Sequence, residues 1–101
     1  MPVVLSVSRA AVPPEHEAEY LATLRSLSRA LRGRGQRLWV FRHPSAPGTY
    51  LECSEGGDAR VHRVNAPKDG AESALEARLR ALATYEPDAW VLWDEVPLED
   101  R

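Results

Sequence analysis

Cysteine is nearly missing from this chain of 101 residues: Cys53 stands alone. An internal disulfide is therefore excluded, which fits a reducing compartment. Lysine is equally scarce, since Lys68 is the only one among 13 basic residues. Arginine at the other positions reads as coding bias before it reads as a set of phosphate-binding forks. No apolar run is long enough to cross a membrane, and Met1 to Ala11 is broken by Ser6, Ser8 and Arg9. Neither a span nor a signal peptide is expected, and the expected location is cytoplasmic. None of His16, His43 and His62 stands at zinc-ligand spacing with another histidine or the cysteine, so no metal site is expected. A net charge of −2 offers no general attraction to nucleic acid or to an acidic membrane. A glycine-rich phosphate loop is also lacking, because Pro13-Pro14 occupies the place between the first strand and the first helix.

What is present describes a soluble globular chain. Hydrophobic residues make up 44% and charged residues 28%, which argues against disorder, and the length suits one domain over residues 1–101. Pro2 to Arg9 alternates Val3, Leu5 and Val7 with Val4, Ser6 and Ser8, the period of a strand. After the two prolines, Glu15 and Glu17 favour a helix start, and Tyr20, Leu21, Leu24, Leu27 and Leu31 form an apolar stripe. Arg25, Arg29 and Arg32 take another face, and Gly33 and Gly35 end the helix. Arg37 to His43 and Thr49 to Glu55 read as a hairpin around Pro44 to Gly48. The stretch 59–68 fits either a helical turn or an extended piece. Asp69, with Glu72 three residues on, predicts an N-cap for a second helix carrying Ala71, Ala74, Leu75, Leu79 and Leu82. Glu86-Pro87-Asp88 breaks it, and Ala89 to Val96 predicts a last strand.

The order strand, helix, hairpin, helix, strand predicts an α+β fold: a ferredoxin-like βαββαβ antiparallel sheet, first and third strands central, both helices on one face. Two short helices cannot cover Trp39, Phe41 and Tyr50 together with Leu38, Val40 and Leu51, so the other sheet face should be apolar. The simplest cover is the same face of a second copy, a homodimer. If Val3, Leu5 and Val7 meet the helices, Ser6 and Ser8 point the opposite way, into the interior of the resulting barrel. Parity lets that face take Trp39, Phe41 and His43, then Tyr50, Glu52 and Ser54. Such a set would make a pocket for a compact apolar or aromatic molecule, held between Trp39, Tyr50 and Trp90. Glu52 could serve there as proton acceptor. The competing reading makes Trp39, Phe41 and Tyr50 dimer core and pairs Glu52 with an arginine. Cys53, alternating with Glu52, is expected to face the helices as a buried thiol.

With these elements in place, the hairpin LWVFRHPSAPGTYLECSE, Leu38 to Glu55, resembles that of the dimeric α+β barrel superfamily, and in particular the antibiotic-biosynthesis monooxygenase (ABM) domains. Trp39, Pro47-Gly48, Tyr50 and Glu52 occupy the positions of that family's tryptophan strand, turn, aromatic and glutamate. His62 matches a histidine that follows in the connection to the second helix. Ser6 and Ser8 stand where catalytic members carry an asparagine, and Gly56-Gly57 where relatives place an aromatic. The resemblance implies a cofactor-free monooxygenase-like activity on an aromatic or polyketide-like substrate, with Glu52 and His62 as its catalytic candidates. The alternative is a non-catalytic dimeric module that binds a hydrophobic metabolite or only associates. RNA recognition by the same strand order is excluded, because the first strand has no aromatic.

Overall fold

The computed structural model describes residues 3–57, 62 and 70–99. Strand β1 (Val4–Ala11) leads through a 3-10 turn at Pro14–His16 into helix α1 (Glu17–Arg32). Strands β2 (Arg37–Arg42) and β3 (Thr49–Gly56) form the hairpin, and helix α2 (Gly70–Leu82) follows. The chain ends in two short strands, β4 (Thr84–Tyr85) and β5 (Leu92–Asp94). The sheet order is β2-β3-β1-β4, with β5 also on β1, all antiparallel. The ferredoxin-like expectation holds, β1 and β3 being central. The Asp69 cap and the stretch 59–68, apart from His62, lie outside the described residues.

The core forms where the leucine stripe of α1 meets the sheet. Tyr20, Leu24, Leu27 and Leu31 pack with Leu79 and Leu82 of α2 against Ala10 and Tyr50. Each fully buried leucine stabilises by at most about 1.5–3 kcal/mol. Helix α2 departs from its sequence reading: Glu72 and Glu76 are buried beside Leu79, whereas Ala71 and Ala74 are exposed. Arg34, just beyond α1, accounts for part of this by pairing with Glu72 at 2.8 Å.

The last strand also differs from expectation. Tyr85 pairs with Ala10 and Trp93 with Leu5, so β4 and β5 lie end to end along one edge of β1. Between them the chain makes a turn over residues 87–90. Pro87 has no N–H for a ladder, and Trp90 adopts φ 68, a left-handed value rare for a non-glycine residue. Apolar patterning does not register such a detour.

A second tight point closes the hairpin. Gly48 has φ +79, and a Cβ there would lie 2.7 Å from the Val12 carbonyl oxygen. Gly48→Ala should destabilise by about 1–3 kcal/mol through strain and clash together. Thermal unfolding would measure it, and an unchanged Tm would show that the turn relaxes.

The register assigns the two sheet faces. Ser6 lies opposite Ser54, Ser8 opposite Glu52 and Ala10 opposite Tyr50. Val40 lies opposite Glu52, while Trp39 faces Cys53 and Phe41 faces Leu51. Directly paired residues share a face. Ser6, Ser8, Tyr50, Glu52 and Ser54 therefore share one face, as the sequence parity had it, but that face lies under the helices. Val4, Ser6, Ser8 and Ala10 are its buried β1 members, whereas Leu5 and Val7 turn to the open face. Trp39 and Phe41 join Leu5, Val7 and Leu51 there, contrary to their expected place beside Glu52. Cys53 is on the open face too, half-buried; burial first, then the charge of Glu52, raises its thiol pKa.

Candidate functional site between sheet and helices

Small residues on β1 make room for large polar ones. Ser6, Ser8 and Ala10 leave space above the central strands for Tyr20 of α1 and for Tyr50 and Glu52 of β3. The Glu52 carboxylate is 2% exposed. Its Oε2 accepts the Tyr20 hydroxyl at 2.7 Å and the Tyr85 hydroxyl at 2.5 Å. A buried carboxylate held by two phenols from two different elements is the central feature of the site. Burial keeps the Glu52 carboxylate off the outer surface.

Around that centre, Tyr50 donates to the Glu17 carboxylate, and its ring lies 5.1 Å from that of Tyr20, tilted by 53°. His62 is fully buried, with Nε2 3.1 Å from the Ser54 carbonyl. A carbonyl only accepts, so this nitrogen carries the hydrogen. Gly56 permits the approach, since a Cβ there would sit 3.2 Å from the His62 Cα. On the other side, the Trp90 amide donates to Ser8 Oγ at 3.2 Å. The Trp90 ring lies 4.8 Å from that of Tyr85, with the Arg80 guanidinium 5.5 Å above it. Tyr85 and Trp90 are half-buried and thus form the more open side of the cluster. The Ser6 hydroxyl, 1% exposed, finds no hydrogen-bond partner among the described residues. Buried polar atoms are normally paired, so this one is available to a bound molecule.

The structure thus gathers Glu52, His62, Tyr50, Ser6 and Trp90 under the helices and leaves three candidates elsewhere. Trp39 stacks under the Arg37 guanidinium, 4.2 Å from its ring, on the open face. Phe41 is 53% exposed there. His43 is exposed at the hairpin, where Nδ1 accepts the Ser45 amide at 3.0 Å. A pocket bounded jointly by Trp39, Tyr50 and Trp90 does not form, because the sheet separates the first from the other two. Sequence reasoning passed over Tyr20 and Tyr85. The available signal was a tyrosine heading a leucine stripe, since a buried phenol needs a hydrogen-bond partner.

Burial, followed by the negative charge of Glu52 and its hydrogen bond, pushes the Tyr20 phenol far above its ordinary value of 10.0. Burial and the Glu17 bond raise Tyr50 as well. Once the pH passes about 10, the unfolded chain releases these protons while the folded chain keeps them. The unfolded state then binds fewer protons, so stability falls with rising pH. Chemical denaturation at stepped pH should show constant stability up to about pH 9 and a decline above pH 10. Tyr20→Phe should flatten that decline, and an unchanged slope would contradict the assignment.

Among the described residues, no three His, Cys, Asp or Glu side chains are placed to hold a metal ion, and no helix is long and apolar enough to cross a membrane. No protein-family model and no curated sequence matches the chain. Solved structures do match. A variant of SnoaB, a cofactor-independent oxygenase from Streptomyces nogalater, is similar with TM-score 0.72 and 20% identity, over 98% of this chain and 95% of that one. An antibiotic biosynthesis monooxygenase gives 0.69 and 20% over 96% and 100%. A Bacteroides thetaiotaomicron protein of unknown function gives 0.71 and 14% over 93% and 95%. The class defined is thus an α+β chain with an antiparallel sheet and a polar cluster beneath its helices. Its fold is that of these solved structures.

Proposed function

We propose that this chain is a homodimeric, cofactor-independent monooxygenase-like enzyme acting on an aromatic or polyketide-like molecule. The observation that carries the reading is the buried Glu52 carboxylate held by Tyr20 and Tyr85 beneath the helices. A substrate that displaces the half-buried Tyr85 phenol presents its acidic hydrogen to Glu52, within hydrogen-bond reach of a base. The proton passes to the carboxylate and the electron pair stays on the substrate carbon. An electron-rich carbanion can reduce dioxygen directly: one electron transfers, the radical pair joins as a hydroperoxide, and loss of water leaves a carbonyl. One CH2 and one O2 thus give C=O and H2O, with no other oxidant. Ser6 would hold a polar group of the substrate, and His62 would anchor the far wall through Ser54.

Dimerisation uses the open sheet face. Leu5, Val7, Trp39, Phe41, Leu51 and Trp93 provide its apolar centre, with Phe41 53% and Trp93 58% exposed. Arg37 and Glu55, paired across the hairpin, mark a charged rim. A self-complementary patch of this kind suits a two-fold axis.

Oxygen uptake in the presence of a chelator, with a panel of hydroxylated fused-ring compounds, tests the activity. Wild-type uptake that is lost in Glu52→Gln supports it. Tight binding of those compounds with no uptake would favour the non-catalytic binding module instead.

A further inference from the structure

A second concave site lies on the far side of α1 and owes nothing to the Glu52 cluster. A cavity of about 420 Å³ runs between α1 and β2, a volume within the range of small-molecule sites. Its apolar part is supplied by Leu21 and Leu24 from the helix and by Leu38 and Val40 from the strand, with Trp39 between them in the chain also at its wall. Arg25, Arg29 and Arg32 stand along its helix wall at steps of four and three, one face of one helix. A neighbouring cavity of about 440 Å³ shares Ser28, Arg32 and Leu38 and adds Arg37, so the groove continues toward the start of β2.

The charge pattern identifies the occupant. Among the described residues no carboxylate lines either cavity. Among the described residues none forms an ion pair with Arg25, Arg29 or Arg32; Arg29 reaches only the Ser26 hydroxyl, at 3.4 Å. Three like charges in a row disfavour the helix, and the chain as a whole is net negative. An exposed arginine row is ordinarily just a solvated surface. Here it borders an apolar concavity, and an apolar floor with a cationic wall complements one kind of small molecule. We propose that the groove between α1 and β2 binds an amphiphilic organic anion, its apolar body on Leu21, Leu24, Leu38 and Val40 and its carboxylate across the Arg25–Arg29 guanidinium groups. Guanidinium forks bind carboxylates in two-point contact, which a lysine row would not do.

Isothermal titration calorimetry with decanoate, decanol and inorganic phosphate tests this on the intact protein. Decanoate should bind at one site per chain, at least tenfold more tightly than decanol, with phosphate alone far weaker than either. The pair R25Q/R29Q, both positions exposed, should weaken decanoate at least tenfold without lowering Tm. E52Q should leave decanoate binding intact, which separates this site from the proposed catalytic one. Equal affinity for decanol, decanoate binding undiminished in R25Q/R29Q, or no decanoate binding would overturn the proposal. So would sedimentation with phosphatidylserine vesicles in a protein that ignores soluble decanoate, because the occupant would then be a membrane surface.

Discussion

Replacing Phe41 by aspartate is expected to convert a stable dimer into a folded single chain at micromolar concentration. Phe41 belongs to the open face and not to the core under the helices, so its loss leaves the packing of Leu24, Leu27, Leu31 and Leu79 untouched. In a two-fold dimer each change counts twice. The apolar burial lost is about 1.5–3 kcal/mol per phenylalanine. Each carboxylate would also be desolvated without a partner, or would force the interface to stay wet. The dissociation constant should rise at least a hundredfold, about 2.7 kcal/mol at 1.36 kcal/mol per tenfold. Light scattering should give twice the 11.2 kDa chain mass for wild type and 11.2 kDa for the variant, with cooperative unfolding retained. A wild-type monomer would end the dimer proposal, and a dimeric variant would move the interface to another face.

Glu52→Gln carries the second large effect. The amide keeps the size of the carboxylate and can still accept the Tyr20 hydroxyl, but it cannot take up a proton at neutral pH. Loss of a positioned general base typically costs 10²- to 10⁴-fold in turnover, and a drop of about that size is expected on any compound the wild type oxidises. A purely structural Glu52 would instead show itself mainly in stability. Removing its charge also removes the second-largest cause of the raised Tyr20 phenol. Tyrosinate absorbance near 295 nm should therefore appear at lower pH in the folded variant than in wild type. Full turnover in Glu52→Gln would take this residue out of the mechanism.

These expectations rest on a fold that the sequence pattern disclosed well and on faces that it disclosed badly. The leucine stripe from Tyr20 to Leu31 and the hairpin around Pro44 to Gly48 led directly to α1, β2 and β3. The grouping of Ser6, Ser8, Tyr50, Glu52 and Ser54 also held, because side-chain alternation along neighbouring strands is a geometric necessity. The side on which that group lies did not follow. Patterning assigns the more apolar face to the helices, whereas here Leu5 and Val7 turn to the open face and the serines lie beneath α1. The bonded pair of Glu52 and Tyr20, and His62 on the Ser54 carbonyl, occupy buried space that an apolar core would otherwise fill. Trp39 and Phe41 were misplaced by register: His43 bonds to Thr49, which sets Val40 and not Trp39 opposite Glu52. A slip of one residue reverses every face, and turn length alone does not exclude it. The detour at Pro87–Trp90 was invisible because a left-handed tryptophan has no compositional signature.

The three indoles provide the most direct test of where a ligand sits. Trp90 lies against Tyr85 beneath the helices, while Trp39 and Trp93 lie on the open face. Each indole N–H gives its own signal in a proton–nitrogen NMR spectrum, and the signals can be assigned by single Trp→Phe variants. Titration with a planar hydroxyaromatic such as 1-naphthol should shift the Trp90 signal strongly and saturably. It should leave Trp39 and Trp93 in place, and ATP should move none of them. Shifts at Trp39 and Trp93 with Trp90 unmoved would put the binding site on the open sheet face and contradict the site proposed around Glu52.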